Sequence, residues 1–240
     1  MLRKQKLICP FIILSLLFCS FVNFNKFQQA NQPPVVKIIN PSNNSTFEWD
    51  TPVSYKIGVS DKEDGESKFD EINTKEVLLE VKRVKKTKAP AGKTASSDQA
   101  GSSVIMTSNC INCHSFNAKA LAPSFYEISK HYPATKANID SLVKRIKLGS
   151  SGLWPGKEKM PAHPELTDAE IKSTVLWVLK NAADPDVNFY TGTEGLFRIK
   201  LRAQPVKATY MLTASYIDHG LKDVPGKRLR GQDVVMISSK

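Results

Sequence analysis

Hydrophobic positions along this chain change their period three times. An apolar run, Leu7 to Val22, is broken only by Cys9, Pro10, Ser15, Cys19 and Ser20. From Gln32 the pattern turns to short alternating stretches, Val35-Val36-Lys37-Ile38-Ile39, Phe47-Glu48-Trp49, Val53 to Val59 and Val77 to Val84. Pro, Asn and Asp-Gly turns separate them, so they read as β-strands. After about Ser102 the period becomes helical. Thr167-Asp-Ala-Glu170 is a capping box, and Ile171, Val175, Val178 and Leu179 follow at helical spacing to about Ala182. Leu142, Val143, Ile146 and Leu148 mark another helix, and Ser102 to Cys110 a first one, with Gly101, Ile105 and Met106 packing near the last. Alternation returns in Leu196 to Leu201, Thr209 to Tyr216 and Val234 to Ile237.

Neither β stretch has enough strands for a stable sandwich alone, whereas joined they supply about seven. The organisation expected is therefore a β-sandwich in two parts, 31–86 and 184–240, interrupted by a helical domain, 98–183, behind a linker, 87–97. Two separate small β modules are the alternative. Lys85 to Ser103 is rich in Lys, Ala, Ser, Gly and Pro without apolar period, which suits a flexible connection. Asp184-Pro185-Asp186 ends the last helix. Residues 1–30, with Arg3, Lys4 and Lys6 before the apolar run, have the layout of a signal peptide or an N-terminal membrane anchor. No clear small-x-small cleavage site follows, and Leu16-Leu17-Phe18-Cys19 is a poor lipoprotein box. Both readings place the remaining chain in the periplasm or cell envelope.

Charge adds a hint about partners. The formal net charge is +11, and about +7 without the four cations before residue 30. Basic residues collect in Lys82-Arg83-Lys85-Lys86-Lys88 and in Lys222, Lys227, Arg228 and Arg230, which could steer an acidic redox partner or meet anionic lipid. Dispersed solubilising charge is the plainer reading. Nucleic acid is disfavoured, because export and the lack of a nucleic-acid motif both argue against it.

The chemistry concentrates in Cys110-Ile111-Asn112-Cys113-His114. Cys-x-x-Cys-His is the spacing at which two thiols bond to haem vinyl groups while the adjacent imidazole ligates the iron. Zinc would need about four Cys/His ligands, and the only other cysteines, Cys9 and Cys19, lie in the N-terminal run. A thioredoxin-like pair wants a βαβ setting that the helical surroundings do not offer. A structural disulfide remains open but leaves His114 unexplained. Met160, in Lys-Met-Pro-Ala-His-Pro, offers a soft thioether as second axial ligand, stiffened by Pro161 and Pro164. His163 is its rival and Met106 a more distant one. Two protein ligands leave no open position, so the expectation is a one-electron carrier with one covalent haem c, not an enzyme. The alternative is a haem-containing binding or sensing module. No distal acid/base pair for a peroxidase is visible.

From about Ser97 to Ala183 the chain resembles the small bacterial class I cytochromes c. The resemblance rests on Cys110-x-x-Cys113-His114, Ala122-Pro123-Ser124-Phe125-Tyr126, Ile146-Lys147-x-Gly149-Ser150-x-Gly152-x-Trp154, Met160-Pro161 and Trp177-Val178-Leu179. It implies that the Pro123 carbonyl accepts a hydrogen bond from His114, that Trp154 contacts a haem propionate, and that His114 and Met160 are the metal ligands. Ala122 departs from the usual Gly. The β parts resemble a bacterial immunoglobulin-like repeat through Pro33-Pro34-Val35-Val36, Ile39-Asn40-Pro41, Asp61-Lys-Glu-Asp64-Gly65, Tyr210-Met211-Leu212-Thr213-Ala214 and Asp218-His219-Gly220. The fold class expected is thus α+β, an all-α class I cytochrome c domain inserted into an all-β immunoglobulin-like sandwich. Similar modules accompany sugar-dehydrogenase polypeptides, which implies a dehydrogenase or oxidase as redox partner. Asp61, Glu63, Asp64, Glu66 and Asp218 would gather at one end of the sandwich, a weak calcium candidate beside the plainer reading of a solvated acidic turn. Trp49, Tyr55 and Tyr216 are weaker candidates still for sugar, since aromatics on strands are usually core.

Overall fold

The computed structural model describes residues 30–84, 99–118, 120–154, 158–201, 207–221 and 228–240. The signal or anchor segment, the 87–97 linker, and Lys85, Lys86, Lys88, Lys222 and Lys227 lie outside them. One compact unit, Asn31–Lys240, carries every element discussed below.

Nine strands occur among the described residues: β1 (Val35–Asn40), β2 (Ser45–Phe47), β3 (Pro52–Asp61), β4 (Gly65–Glu66), β5 (Leu78–Arg83), β6 (Val187–Thr191), β7 (Glu194–Arg198), β8 (Thr209–Ile217) and β9 (Arg230–Ser239). In one sheet β3 pairs with β1, β4 and β7; the other runs β2-β9-β8-β5-β6. Strands from before and after the helices share both sheets. Pro52 faces Arg198 in one, while Leu78 lies between Thr191 and Ser215 in the other. Pairing is antiparallel except between β2 and β9.

Period-two alternation sends β5 side chains to opposite faces. Leu79 and Val81, with Leu212, Ala214 and Ile237, fill the core between the sheets. Leu78 points the other way and is 5% exposed, because helices cover that outer face. Trp49, Tyr55 and Tyr216 belong to, or pack against, the inter-sheet core, so none forms an exposed aromatic platform.

Among the described residues four α-helices make the third layer: α1 (Gln99–Thr107), α2 (Phe125–His131), α3 (Lys136–Leu148) and α4 (Asp168–Asn181). The central α4 packs against the other three. It opens with the Thr167/Glu170 capping box, and α2 opens with a second box made by Ser124 and Glu127. Two contacts join helices to sheet. One is apolar: Ile105 and Met106 of α1, Phe116, and Trp177 and Val178 of α4 form one cluster with Leu78, Val187 and Phe189. The other is polar: Arg230 donates to the Ser102 and Ser103 hydroxyls, and Arg228 Nη1 to the Thr107 carbonyl. Two basic residues read as surface charge thus also tie the layers together. Burial raises the nearby Glu80 carboxyl and lowers Arg230, and each is partly offset by the other's charge.

Some boundaries differ from expectation. The first helix stops at Thr107 because Asn109 takes a left-handed conformation (φ 60°), and Cys110–Asn112 continues as a separate 3₁₀ turn. Strands β4 and β6 were not legible, the one too short and the other starting directly after the Asp184 turn. At the acidic end, Asp61 Oδ1 accepts from the Glu63 and Asp64 amides, and Asp64 accepts from Tyr216 Oη and the His219 amide. Buried Asp218 accepts from Asn31, Gly220 and Leu229. Among the described residues no group of three or more His, Cys, Asp or Glu side chains is placed to hold a metal ion.

The tightest joint in the helical layer is Gly101. A Cβ there would meet the Ser173 carbonyl oxygen and lie 2.6 Å from Trp177 Cβ, with backbone on one side and a buried ring on the other. Gly101→Ala should therefore overpack the α1–α4 crossing and destabilise the protein by about 1–3 kcal/mol. Urea unfolding checks this, and an unchanged midpoint would contradict it.

Candidate haem site

The Cys-x-x-Cys-His segment owes its shape to backbone bonds. The Cys113 and His114 amides both donate to the Cys110 carbonyl, at 3.3 and 2.9 Å, so three reactive side chains are presented within about one turn. Cys110 and Cys113 are not in a disulfide. Burial pushes the Cys110 thiol up to about 11. The next loop is stitched back onto this turn: Ala122 donates to Cys113, Phe125 to Ser115 and Tyr126 to Phe116, at 2.9–3.0 Å.

That loop delivers the Pro123 carbonyl to His114. Nδ1 lies 2.6 Å from it, and since a carbonyl only accepts, Nδ1 carries the proton. Nε2 is left with a free lone pair, the state in which imidazole ligates a metal. Burial holds His114 below the usual imidazole value; the Pro123 bond works against this, and His163 adds a smaller push in the same direction as burial. Phe125 stacks on the ring at 5.3 Å between centroids and 17° between planes.

Cys110 and His114 open on a mostly apolar cleft with about 1070 Å³ of empty space, open solvent at its mouth included. Val104, Leu142, Ile146, Ile171 and Val175, from α1, α3 and α4, line its depth, and Met160, Trp154 and His163 also reach it. Met160 is pinned by a two-way bridge to Ser150, with the amides donating at 2.9 and 3.1 Å. Gly149 (φ +78°) permits this: a Cβ there would lie 2.9 Å from the Met160 carbonyl oxygen. His163 is engaged by Glu165, 2.9 Å from Nδ1. Met106 is instead buried in the cluster between helices and sheet and does not line the cleft. Trp154 packs on His131 at 5.0 Å, close to Tyr132, whose hydroxyl accepts from Arg145 Nη1.

The donor set fits a covalently held haem. Two free thiols and an imidazole with a free Nε2 stand in one turn, of which Cys110 and His114 line a cleft that is apolar enough for the macrocycle, and Met160 lines the same cleft. Arg145, which lines this cleft, was not singled out from the sequence; a cation beside a candidate propionate contact was the available signal.

Comparison with known proteins agrees. Residues 99–182 match the family described as Cytochrome c. Cytochrome c-551 of Azotobacter vinelandii is 36% identical over 81 residues, 34% of this chain and 96% of its own. Cytochrome c-552 of Hydrogenobacter thermophilus is 39% identical over 70 residues, 29% of this chain and 69% of its own. The crystal structure of wild-type Nitrosomonas europaea cytochrome c552 aligns at 32% identity and a TM-score of 0.31, covering 33% of this chain and 96% of that one. The cofactor of these cytochromes is covalent haem c. Through residues 99–182, the chain belongs to the cytochrome c family.

Proposed function

We propose that this protein is a one-electron carrier of the periplasm or cell envelope, in which Cys110 and Cys113 attach one haem c and His114 and Met160 ligate its iron. The observation that carries this reading is the His114 Nδ1 to Pro123 hydrogen bond in a turn that also presents both thiols, since it aims the unprotonated nitrogen away from the protein's own acceptor. Bound haem would supply reversible Fe(III)/Fe(II) chemistry. The chain's part is to exclude water with its apolar wall, to fix the His114 ring and the Met160 thioether, and to present an edge to partners. Leu153 lines the cleft and is 45% exposed, and Leu121, next in sequence to the lining Ala122, and Leu148, two residues from the lining Ile146 and Ser150, are more exposed still. They make an apolar rim for a dehydrogenase or oxidase to dock on. Trp154 and Arg145 are the groups we assign to the propionate side.

The β part is read as an immunoglobulin-like sandwich into which the cytochrome segment is inserted, with membrane attachment, if any, through residues 1–30. Two facing sheets built by strands from both sides of the helices support this reading. Among the described residues no helix is long and apolar enough to cross a membrane.

Met160→Ala should retain the haem, lose the sulfur-to-iron charge-transfer band of the ferric protein and lower the reduction potential by roughly a tenth or more of the ~0.8 V range set by axial ligation. Spectroelectrochemistry reads both, and an unchanged spectrum and potential would remove Met160 from the site. Cys113→Ala should cut the yield of covalently attached haem, measured by haem stain after denaturing electrophoresis. The reduced wild-type protein should bind carbon monoxide slowly or not at all; rapid binding would point to an open axial position and a sensing role.

A further inference from the structure

An aromatic chain runs from His114 out of the haem site and into the β part. The imidazole stacks on Phe125, Phe125 meets Phe116 at 5.4 Å, and Phe116 stacks on Phe189 at 5.1 Å and 30°. Phe189 sits on β6, a strand outside the family match, on the outer face of the five-stranded sheet. Trp177 of α4 closes on it at 5.0 Å. Phe116, Phe125, Phe189 and Trp177 are each at most 6% exposed. A second cleft, between the β part and the haem-binding turn, is lined by His114 together with Phe116, Phe189, Tyr55 and Tyr190. His114 therefore lines two cavities, and the Phe116–Phe189 stack borders the one on the β side.

We propose that Phe189 is a positioning residue for His114, acting through Phe116 and Phe125, so that the β part sets the orientation and dryness of a ligand it does not supply. The inference rests on the reading of His114 as an iron ligand. Close-packed rings have few alternative arrangements, so a displaced Phe189 is passed on to Phe116 and then to Phe125, whose plane fixes the imidazole plane. Losing the stack also opens the second cleft toward His114. A wetter ligand environment favours the more highly charged ferric state and lowers the potential.

The test uses the full-length haem-loaded protein and three variants, Phe189→Ala, Phe189→Leu and Leu78→Ala. Leu78 shares the cluster between helices and sheet but is not a member of the aromatic chain. Ferric EPR g-values report the ligand plane, and the midpoint potential reports the environment. Phe189→Ala should move the g-values and lower the potential, whereas Leu78→Ala should leave both near wild type at a similar loss of stability in urea. Where Phe189→Ala yields no holoprotein, Phe189→Leu, which keeps apolar volume but removes the flat ring, is read in the same way. Unmoved g-values and potential, or equal shifts in Leu78→Ala, overturn the positioning role. Hyperfine-shifted NMR signals of ¹⁵N-labelled His114 in the wild-type ferric protein establish ligation separately. Their absence rejects the ligand reading itself, while their presence with unmoved g-values rejects only the part played by Phe189.

Discussion

The five-stranded sheet is covered on both faces where β5 and β6 run under the helices, and the rest of the molecule follows from that. A sheet covered on one side alternates apolar and polar residues, whereas one covered on both carries apolar residues at adjacent positions. Strand β5 does the latter, with Leu78 and Leu79 at 5% and 0% exposure. One face supports the inter-sheet core and the other supports α1, α4 and Phe116. Fully burying a side chain of this size contributes about 1.5–3 kcal/mol. Removing either neighbour would leave this face in water, so the helices and the β part are stabilised by the same residues.

Periodicity carried most of the fold that sequence could reveal. The helix beginning at Thr167 was legible because its cap and its apolar stripe agree, and β3 and β8 because their alternation is long. What failed did so for local reasons. Val187 to Thr191 alternates over only five residues directly after a helix, and the Ser124-x-x-Glu127 box that starts α2 was hidden inside a stretch read for its proline. Register was beyond reach altogether, since Leu78 meets Thr191 and Ser215 across more than a hundred residues. No short-range pattern encodes such a pairing.

The site divides along similar lines. The thiols and His114 could be read as candidates because attachment needs fixed separations, and Met160 because a thioether in a proline-stiffened loop suits the iron, whereas Pro123 was reached only through the resemblance to class I cytochromes c. Neighbours that act through packing left no such trace. Arg145 looks like an ordinary residue until the chain has folded, and Phe125, Gly149 and Ser150, though they stand in stretches that carry the resemblance, show what they pack on or bridge only in the fold. Arg228 and Arg230 show the opposite error, where a count of charges suggested a surface that the fold partly uses as a fastening.

The adjacency of β5 and β6 bears on the order of assembly. These neighbours are joined through about a hundred residues of intervening chain. Closing so long a loop as random coil costs about 3 kcal/mol more than closing a four-residue hairpin. Docking of α1 against α4 shortens the effective loop, because both helices lie on the same sheet face. The edge strand thus gains a cheap route to its partner only once the intervening helices have formed, which makes completion of the sheet a reporter of the maturation of the domain folded into it.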